Sequence, residues 1–130
     1  HSNYMVKNSK LTHKEARSNH RNSWDRVEYY KGAYNRIGEN VLQTNYNKIV
    51  LHNGKKYKTN SIDKLANLMV KLWVDSQGHL NNIKNKEFTH TALAISADKN
   101  NDKIYACQVF AGDMHQNYKA KNSKEFFPYD

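Results

Sequence analysis

The feature that most constrains the fold is an apolar stripe between residues 61 and 75. Ile62, Leu65, Ala66, Met69, Leu72 and Trp73 fall at positions i, i+3, i+4, i+7, i+10 and i+11, which share one face of an α-helix. Leu68 and Val70 widen that face, and Ser61 is placed to cap its start. We therefore predict a well-buried helix over 61–75 that ends near Gly78.

Two apolar segments follow this helix and predict a pair of strands. Residues 88–97 ("FTHTALAISA") and 103–111 ("KIYACQVFA") flank the polar turn "DKNND", a pattern typical of an antiparallel hairpin. The middle of each segment is apolar at nearly every position, as expected for strands covered on both faces. Helices on both sides of a small sheet would supply that cover, which favours an α+β fold.

A second hairpin signal precedes the helix. Asn53-Gly54 is a strong two-residue turn sequence between apolar or Tyr-containing runs, and it predicts a small hairpin over residues 48–59. Further upstream, Trp24, Val27, Tyr30 and Tyr34 have helical spacing, which predicts a helix that ends near Gly32.

Chain length and net charge limit which kinds of protein and partner are compatible with the sequence. The chain has 130 residues, enough for a single core, and contains no apolar run of membrane-spanning length. The formal charge of +9 attracts phosphate, sulfate and anionic lipid. Most of the basic residues are Lys rather than Arg, and no known motif is present, which argues against specific nucleic-acid binding.

The single cysteine, Cys107, cannot form an internal disulfide, and we predict that it is buried as a small hydrophobic residue.

Residues 36–41 read "RIGENV" and contain an acid in an unusual setting. We interpret Gly38 as a turn residue that permits a close backbone approach, and Asn40 as a residue that bonds local backbone. Val41 then begins an apolar stretch. Most glutamates are solvated, but a Glu just ahead of an inward-going strand points into a cleft more often than average. Glu39 is therefore a candidate for chemistry.

Three motifs in this order resemble the CAP superfamily of cysteine-rich secretory, antigen 5 and pathogenesis-related 1 proteins. They are "GENV" (38–41), "LWVDSQGHLNNI" (72–83) and "YACQVF" (105–110), and the ordered set resembles the bacterial branch. The segment "NYMVKNSKLTH" (3–13) is similar to the one that precedes Gly-Glu-Asn in that branch. The resemblance covers about residues 3–112. It implies a three-layer α-β-α sandwich with a small central antiparallel sheet, in one domain over residues 1–130.

The sequence also departs from the family pattern. The first helix of the family begins before the equivalent of His1, so the resemblance implies that part of that helix is absent from this sequence. Residues 45–60 form an insertion relative to simple bacterial members, and residues 113–130 are expected to be an irregular tail. The disulfides of eukaryotic members are missing. The resemblance further implies an extracellular location or display on the bacterial cell surface.

The resemblance implies a cleft lined by two histidines and two acids. Carried over by motif, these are His13, His79 and Glu39, with Asp75 as the nearest candidate for the second acid. Two imidazoles and a carboxylate can hold Zn²⁺, so His13 and His79 are candidate ligands of a divalent metal. The alternative is that both histidines bond to Glu39 and to the backbone and brace the fold. His79 follows Gly78, which we predict to lie at a helix end, where free carbonyl groups favour such a bond.

We expect a binding module rather than an enzyme, and assign no catalytic residue. The resemblance implies a small lipid or sterol-like ligand, or a host macromolecule, and the charge adds anionic glycans as partners. One alternative is a metal-dependent hydrolase that uses the same cleft. Asp75, Ser76 and His79 are close in sequence, but triads are defined in space, and no nucleophile elbow surrounds Ser76. Another alternative is a polyanion or nucleic-acid binder.

Overall fold

The computed structural model describes residues 1–114 and 125–129. The helices are α1 (Ser2–Asn8), α2 (Ser23–Tyr29), α3 (Ile62–Val74) and α4 (Gln77–Lys84), with a 3₁₀ turn at Ser18–His20. The strands are β1 (Tyr34–Asn45), β2 (Ile49–His52), β3 (Lys55–Lys58), β4 (His90–Asp98), β5 (Lys103–Met114) and β6 (Glu125–Tyr129). Within the described residues, none of the helices is long and apolar enough to cross a membrane.

The central sheet has the strand order β4-β5-β1-β6. β4, β5 and β1 are antiparallel neighbours, whereas β6 runs parallel to β1. The expectation of an irregular tail over 113–130 is therefore wrong where it meets the sheet. β5 continues to Met114, and residues 125–129 form β6 because they pair with the edge of β1 that β5 does not occupy. Residues 115–124 and residue 130 lie outside the described part of the chain.

Helices cover both faces of the sheet, which confirms the predicted α-β-α arrangement. Alternate side chains of β1 point to opposite faces. On one face, Val41 packs with Met5 of α1, and Ile37 packs with Trp24 of α2. On the other face, Leu42 packs with Trp73 and its neighbours on α3.

The predicted helix over 61–75 is confirmed as α3, with Ser61 at its N-cap accepting a hydrogen bond from the backbone of Lys64. It does not continue to Gly78, however. Ser76 adopts an extended backbone conformation, which ends the run, and α4 begins at the next residue. Gly78 therefore lies inside α4 rather than beyond the end of α3.

Both predicted hairpins are present. β2 and β3 pair around Asn53 and Gly54, which both have positive φ as a two-residue turn requires. β4 pairs with β5, but the expectation that both strands are covered on both faces is wrong for β4. Leu93 and Ile95 are 57% and 53% exposed because α3 and α4 pack mainly over β1, away from this edge strand.

The whole of "RIGENV" lies inside β1, so the interpretation of Gly38 as a turn residue is wrong. Its glycine is needed for close packing instead. A Cβ at Gly38 would lie 2.8 Å from Cζ of Phe88 and 3.2 Å from Oδ1 of Asn82. Tyr34 likewise belongs to β1 and not to the preceding helix, which ends at Tyr29.

Candidate functional site

The carboxylate of Glu39 is fully buried and forms the centre of a charged network. Its Oε1 lies 2.8 Å from Nδ1 of His13. Its Oε2 accepts hydrogen bonds from Nη2 of Arg26 and from Sγ of Cys107, the latter over 3.5 Å. Both oxygens of Glu39 are therefore already engaged inside the protein. We call these four residues the Glu39 network.

Arg26 connects this network to the segment between α1 and α2. An Asn22–Asp25 capping box fixes the start of α2 and so places Arg26 on the side of the helix that faces the sheet. The Nη1 group of Arg26 donates to the backbone carbonyls of His13 (3.2 Å) and His20 (3.0 Å). His13 is thus held through its ring by Glu39 and through its backbone by Arg26.

α4, the helix that carries His79, packs on the face of the sheet opposite to the one to which the Glu39 side chain points. Asn40 follows Glu39 in β1, so its side chain points the other way. There its Nδ2 donates to the carbonyl of His79 (3.0 Å), and Nδ2 of Asn82 donates to Oδ1 of Asn40 (3.0 Å). The structure therefore brings His13 to Glu39 and places α4, with His79, across the sheet.

The local setting of His79 also differs from the prediction. The residue is buried and lies in the first turn of α4, not at the C-terminal end of a helix. At this end of a helix the free backbone groups are N–H groups, not the carbonyl groups on which the predicted bond depends.

Asp75 contacts a different part of the molecule. Its Oδ2 lies 2.8 Å from Nε2 of His52 and 3.2 Å from Nζ of Lys71. The hydrogen bonds from His52 and then Lys71 lower the pKa of Asp75 below its usual value. The imidazole that Asp75 contacts thus belongs to the β2–β3 hairpin, and this acid connects the hairpin to the end of α3.

The Glu39 network fits a zinc ion poorly. The guanidinium of Arg26 occupies the direction on Oε2 that a cation would need, and a second positive charge there would be repelled. Among the described residues, no group of three or more His, Cys, Asp or Glu side chains is arranged to hold a metal ion. Zinc binding by His13 and His79 stays a prediction.

Cys107 is buried, as the sequence predicts. Burial, and to a smaller degree the charge of Glu39, raises the pKa of its thiol far above the usual range. The side chain therefore stays a neutral thiol that donates to Glu39. The sequence-based predictions missed both Cys107 and Arg26 as partners of Glu39. The four arginines of the chain all lie within residues 17–36, and that pattern does not single out Arg26.

An apolar groove opens beside the Glu39 network, between α1, α2 and the β4–β5 pair. Its volume is about 380 Å³. Ala92, Ala94 and Val109 form its floor, and Val27 and Tyr30 form its α2 wall. Arg26 and Cys107 line the end where the groove meets the network. The sequence gives no hint of this groove, because it depends on β4 being an edge strand with small side chains on one face.

Comparison with known proteins places the chain in a family. The family model described as "CAP: Cysteine-rich secretory protein family" matches residues 1–110. Searches of curated proteins and of solved structures find no match. The family match covers most of the 130 residues and confirms the resemblance seen in the sequence motifs. The chain therefore belongs to the CAP, or cysteine-rich secretory protein, family.

Proposed function

We propose that this CAP domain is a non-catalytic binding module that holds a small lipid or sterol-like molecule in the groove between α1, α2 and the sheet. The observation that carries the proposal is the groove itself. Its volume of about 380 Å³ lies within the range of roughly 300–1,000 Å³ that is typical of small-molecule pockets. Its lining is mostly apolar and includes a few polar side chains, those of His1, Arg26 and Tyr30, which is also typical of such pockets.

The chemistry of the lining favours an apolar ligand over a sugar or a nucleotide. Ala92, Ala94 and Val109 offer methyl groups and no side-chain hydrogen-bonding atoms. Three of the five N–H donors of Arg26 are used by Glu39 and by two backbone carbonyls. Tyr30 stands at the rim and is 74% exposed, so its ring can cover a bound chain while its hydroxyl stays in water.

In this proposal the Glu39 network braces the groove. The network fixes the segment that follows α1 against α2 and the sheet, because Arg26 and His13 bond to one buried carboxylate. A wall fixed before binding loses less conformational entropy when the ligand arrives. This role corresponds to the bracing alternative for His13.

Two features support binding rather than turnover. The carboxylate of Glu39 is 0% exposed, and both of its oxygens already accept hydrogen bonds, so it is poorly placed to take a proton from an external substrate. The raised pKa of the Cys107 thiol keeps it from acting as a thiolate nucleophile. The hydrolase alternative instead requires an activity that is lost in Glu39→Gln.

We extend the proposal to location, and place the protein outside the cell or on the bacterial surface. The support is family membership together with motifs that resemble the bacterial branch. Fractionation of the source cells, followed by protease treatment of intact cells, tests this part. A protein found only in the cytosolic fraction would overturn it.

Two alanines of β4 provide a matched test of the groove. Ala94 faces the groove, whereas Ala97 is an exposed alanine on the other face of the same strand. We expect a fluorescent fatty acid to bind wild type and Ala97→Phe alike, and Ala94→Phe at least about tenfold more weakly, because the ring fills the floor. Equal binding by Ala94→Phe would refute the proposal, as would failure of both fatty-acid and sterol probes to bind wild type.

A further inference from the structure

A second concave site lies on the other helical layer, between α3 and the β2–β3 hairpin. It has a volume of about 330 Å³ and is lined by four lysines, Lys56, Lys58, Lys64 and Lys71. We call this site the lysine pocket. It shares no lining residue with the apolar groove.

The fold brings these lysines together from two elements. Lys56 and Lys58 alternate along β3 and so point to one side of the hairpin, while Lys64 and Lys71 share one face of α3. The hairpin lies along α3 and is held at both ends. Near its base, just before α3 begins, buried Thr59 exchanges backbone hydrogen bonds with Asn47 and Lys48, which lie between β1 and β2. Near its tip, His52 contacts Asp75 at the far end of α3.

Little negative charge balances the lysine pocket. The Nζ of Lys71 lies 3.2 Å from Asp75, and the Nζ of Lys64 donates to the amide oxygen of Asn60. Among the described residues, no carboxylate lies within ion-pair distance of Lys56, Lys58 or Lys64. Three of the four lysines that line the pocket therefore have no carboxylate partner among the described residues, and an anion that binds beside them relieves their mutual repulsion.

We propose that the lysine pocket binds the sulfate groups of a sulfated polysaccharide. Separate ammonium groups on a strand and a helix match anionic groups repeated along a chain, since each Lys acts as a point charge. The pocket contains no Arg, whose planar fork favours bidentate contacts to phosphates and bases. Tyr57, which is half-buried, also lines the pocket and provides a ring face against which a sugar ring can pack.

Two double variants with the same change in charge test the proposal. The first, Lys56→Gln with Lys64→Gln, removes one lysine from each wall of the pocket. The control, Lys84→Gln with Lys86→Gln, removes two exposed lysines near the end of α4. The probe is a heparin oligosaccharide, titrated by calorimetry at an ionic strength of about 0.15 M. We expect affinity to fall at least about tenfold in the pocket variant and less than about threefold in the control.

Three results would overturn this proposal. The first is equal weakening in both variants, which would mean that net charge alone attracts the glycan. The second is failure of wild type to bind the oligosaccharide. The third is binding of duplex DNA as tightly as heparin with the same loss in the pocket variant, which would assign the pocket to nucleic acid. Thermal unfolding of both variants checks that the fold is intact, and we expect little change because all four substituted side chains are exposed.

Discussion

Replacing Glu39 by Gln is the sharpest perturbation of the Glu39 network. The amide keeps the shape of the side chain but removes its charge. Arg26, which is buried, then holds a positive charge without its carboxylate partner. The thiol of Cys107 and the ring of His13 lose a charged acceptor as well.

The magnitude follows from burial. Breaking a buried ion pair by removing one partner costs about 3–5 kcal/mol, because an uncompensated charge stays in the interior. The guanidinium of Arg26 keeps two backbone carbonyl acceptors, at 3.2 and 3.0 Å, which offset part of that cost. We therefore expect Glu39→Gln to lower the free energy of unfolding by about 3 kcal/mol.

A second Arg–Glu pair on the surface supplies the control. Nη1 of Arg36 lies 2.5 Å from Oε2 of Glu87, but the two side chains are 26% and 53% exposed. Exposed pairs contribute about 0–1 kcal/mol, so Glu87→Gln should cost less than about 1 kcal/mol. Urea denaturation followed by tryptophan fluorescence measures both variants, with Trp24 and Trp73 as the reporters.

A double-mutant cycle isolates the interaction between Glu39 and Arg26. The double variant Glu39→Gln with Arg26→Gln should cost less than the sum of the two single variants by about 2 kcal/mol, because it leaves neither charge unpaired. A stabilising buried ion pair would be refuted if Glu39→Gln cost no more than Glu87→Gln, or if the cycle showed additive effects.

Three further predictions concern Cys107, Asp75 and Gly112. Burial raises the pKa of the Cys107 thiol, so iodoacetamide at about pH 8 should label it in urea and not in the folded protein; fast labelling of the folded protein would contradict its burial. Hydrogen bonds from His52 and Lys71 lower the pKa of Asp75 in the folded protein below its usual value of 3.8. The ionised carboxylate therefore stabilises the fold above pH 3.8, and this stabilisation is lost as the pH falls through the lowered pKa. Asp75→Asn should therefore reduce the drop in unfolding temperature between about pH 5 and pH 3, and an unchanged drop would argue against the contact with His52. A Cβ at Gly112 would lie 1.8 Å from the carbonyl oxygen of Glu87, in the loop between α4 and β4. Gly112→Ala should therefore lower the free energy of unfolding by at least about 2 kcal/mol in urea denaturation, whereas a loss below about 0.5 kcal/mol would show that the loop can move away from the added methyl group.

Local patterns predicted the elements whose periodicity is strong. The apolar face between residues 61 and 75 identified α3, and Asn53-Gly54 identified the β2–β3 hairpin, because both signals are set by neighbouring residues. The end of α3 was missed, since it depends on the extended conformation of Ser76, which has no apolar signature. An apolar run also cannot distinguish a central strand from an edge strand, and so the exposure of β4 was missed.

The candidate site was predictable only in part. The motifs identified Glu39 and His13, and the structure joins them. The same motifs predicted that His79 joins Glu39 and His13, but α4 packs on the other face of the sheet. Glu39 and Asn40 are neighbours in β1, so their side chains point to opposite faces, and it is Asn40 that contacts His79. The sequence did not predict that these two residues lie in a strand. Arg26 was missed because its contact with Glu39 depends on how α2 packs on the sheet.

The most direct test of the central claim is a titration of the isotope-labelled protein with a medium-chain fatty acid, followed residue by residue in amide NMR spectra. Binding in the apolar groove predicts the largest saturable shifts at Ala92, Ala94 and Val109, with little change at Ala66 on the far side of α3. Arg26 and Cys107, which line one end of the groove, should shift as well, whereas His13 and Glu39 do not line it and should shift less. Shifts that are absent, or that are centred on His79 or the lysine pocket instead, would contradict the claim that this CAP domain binds an apolar ligand in its groove.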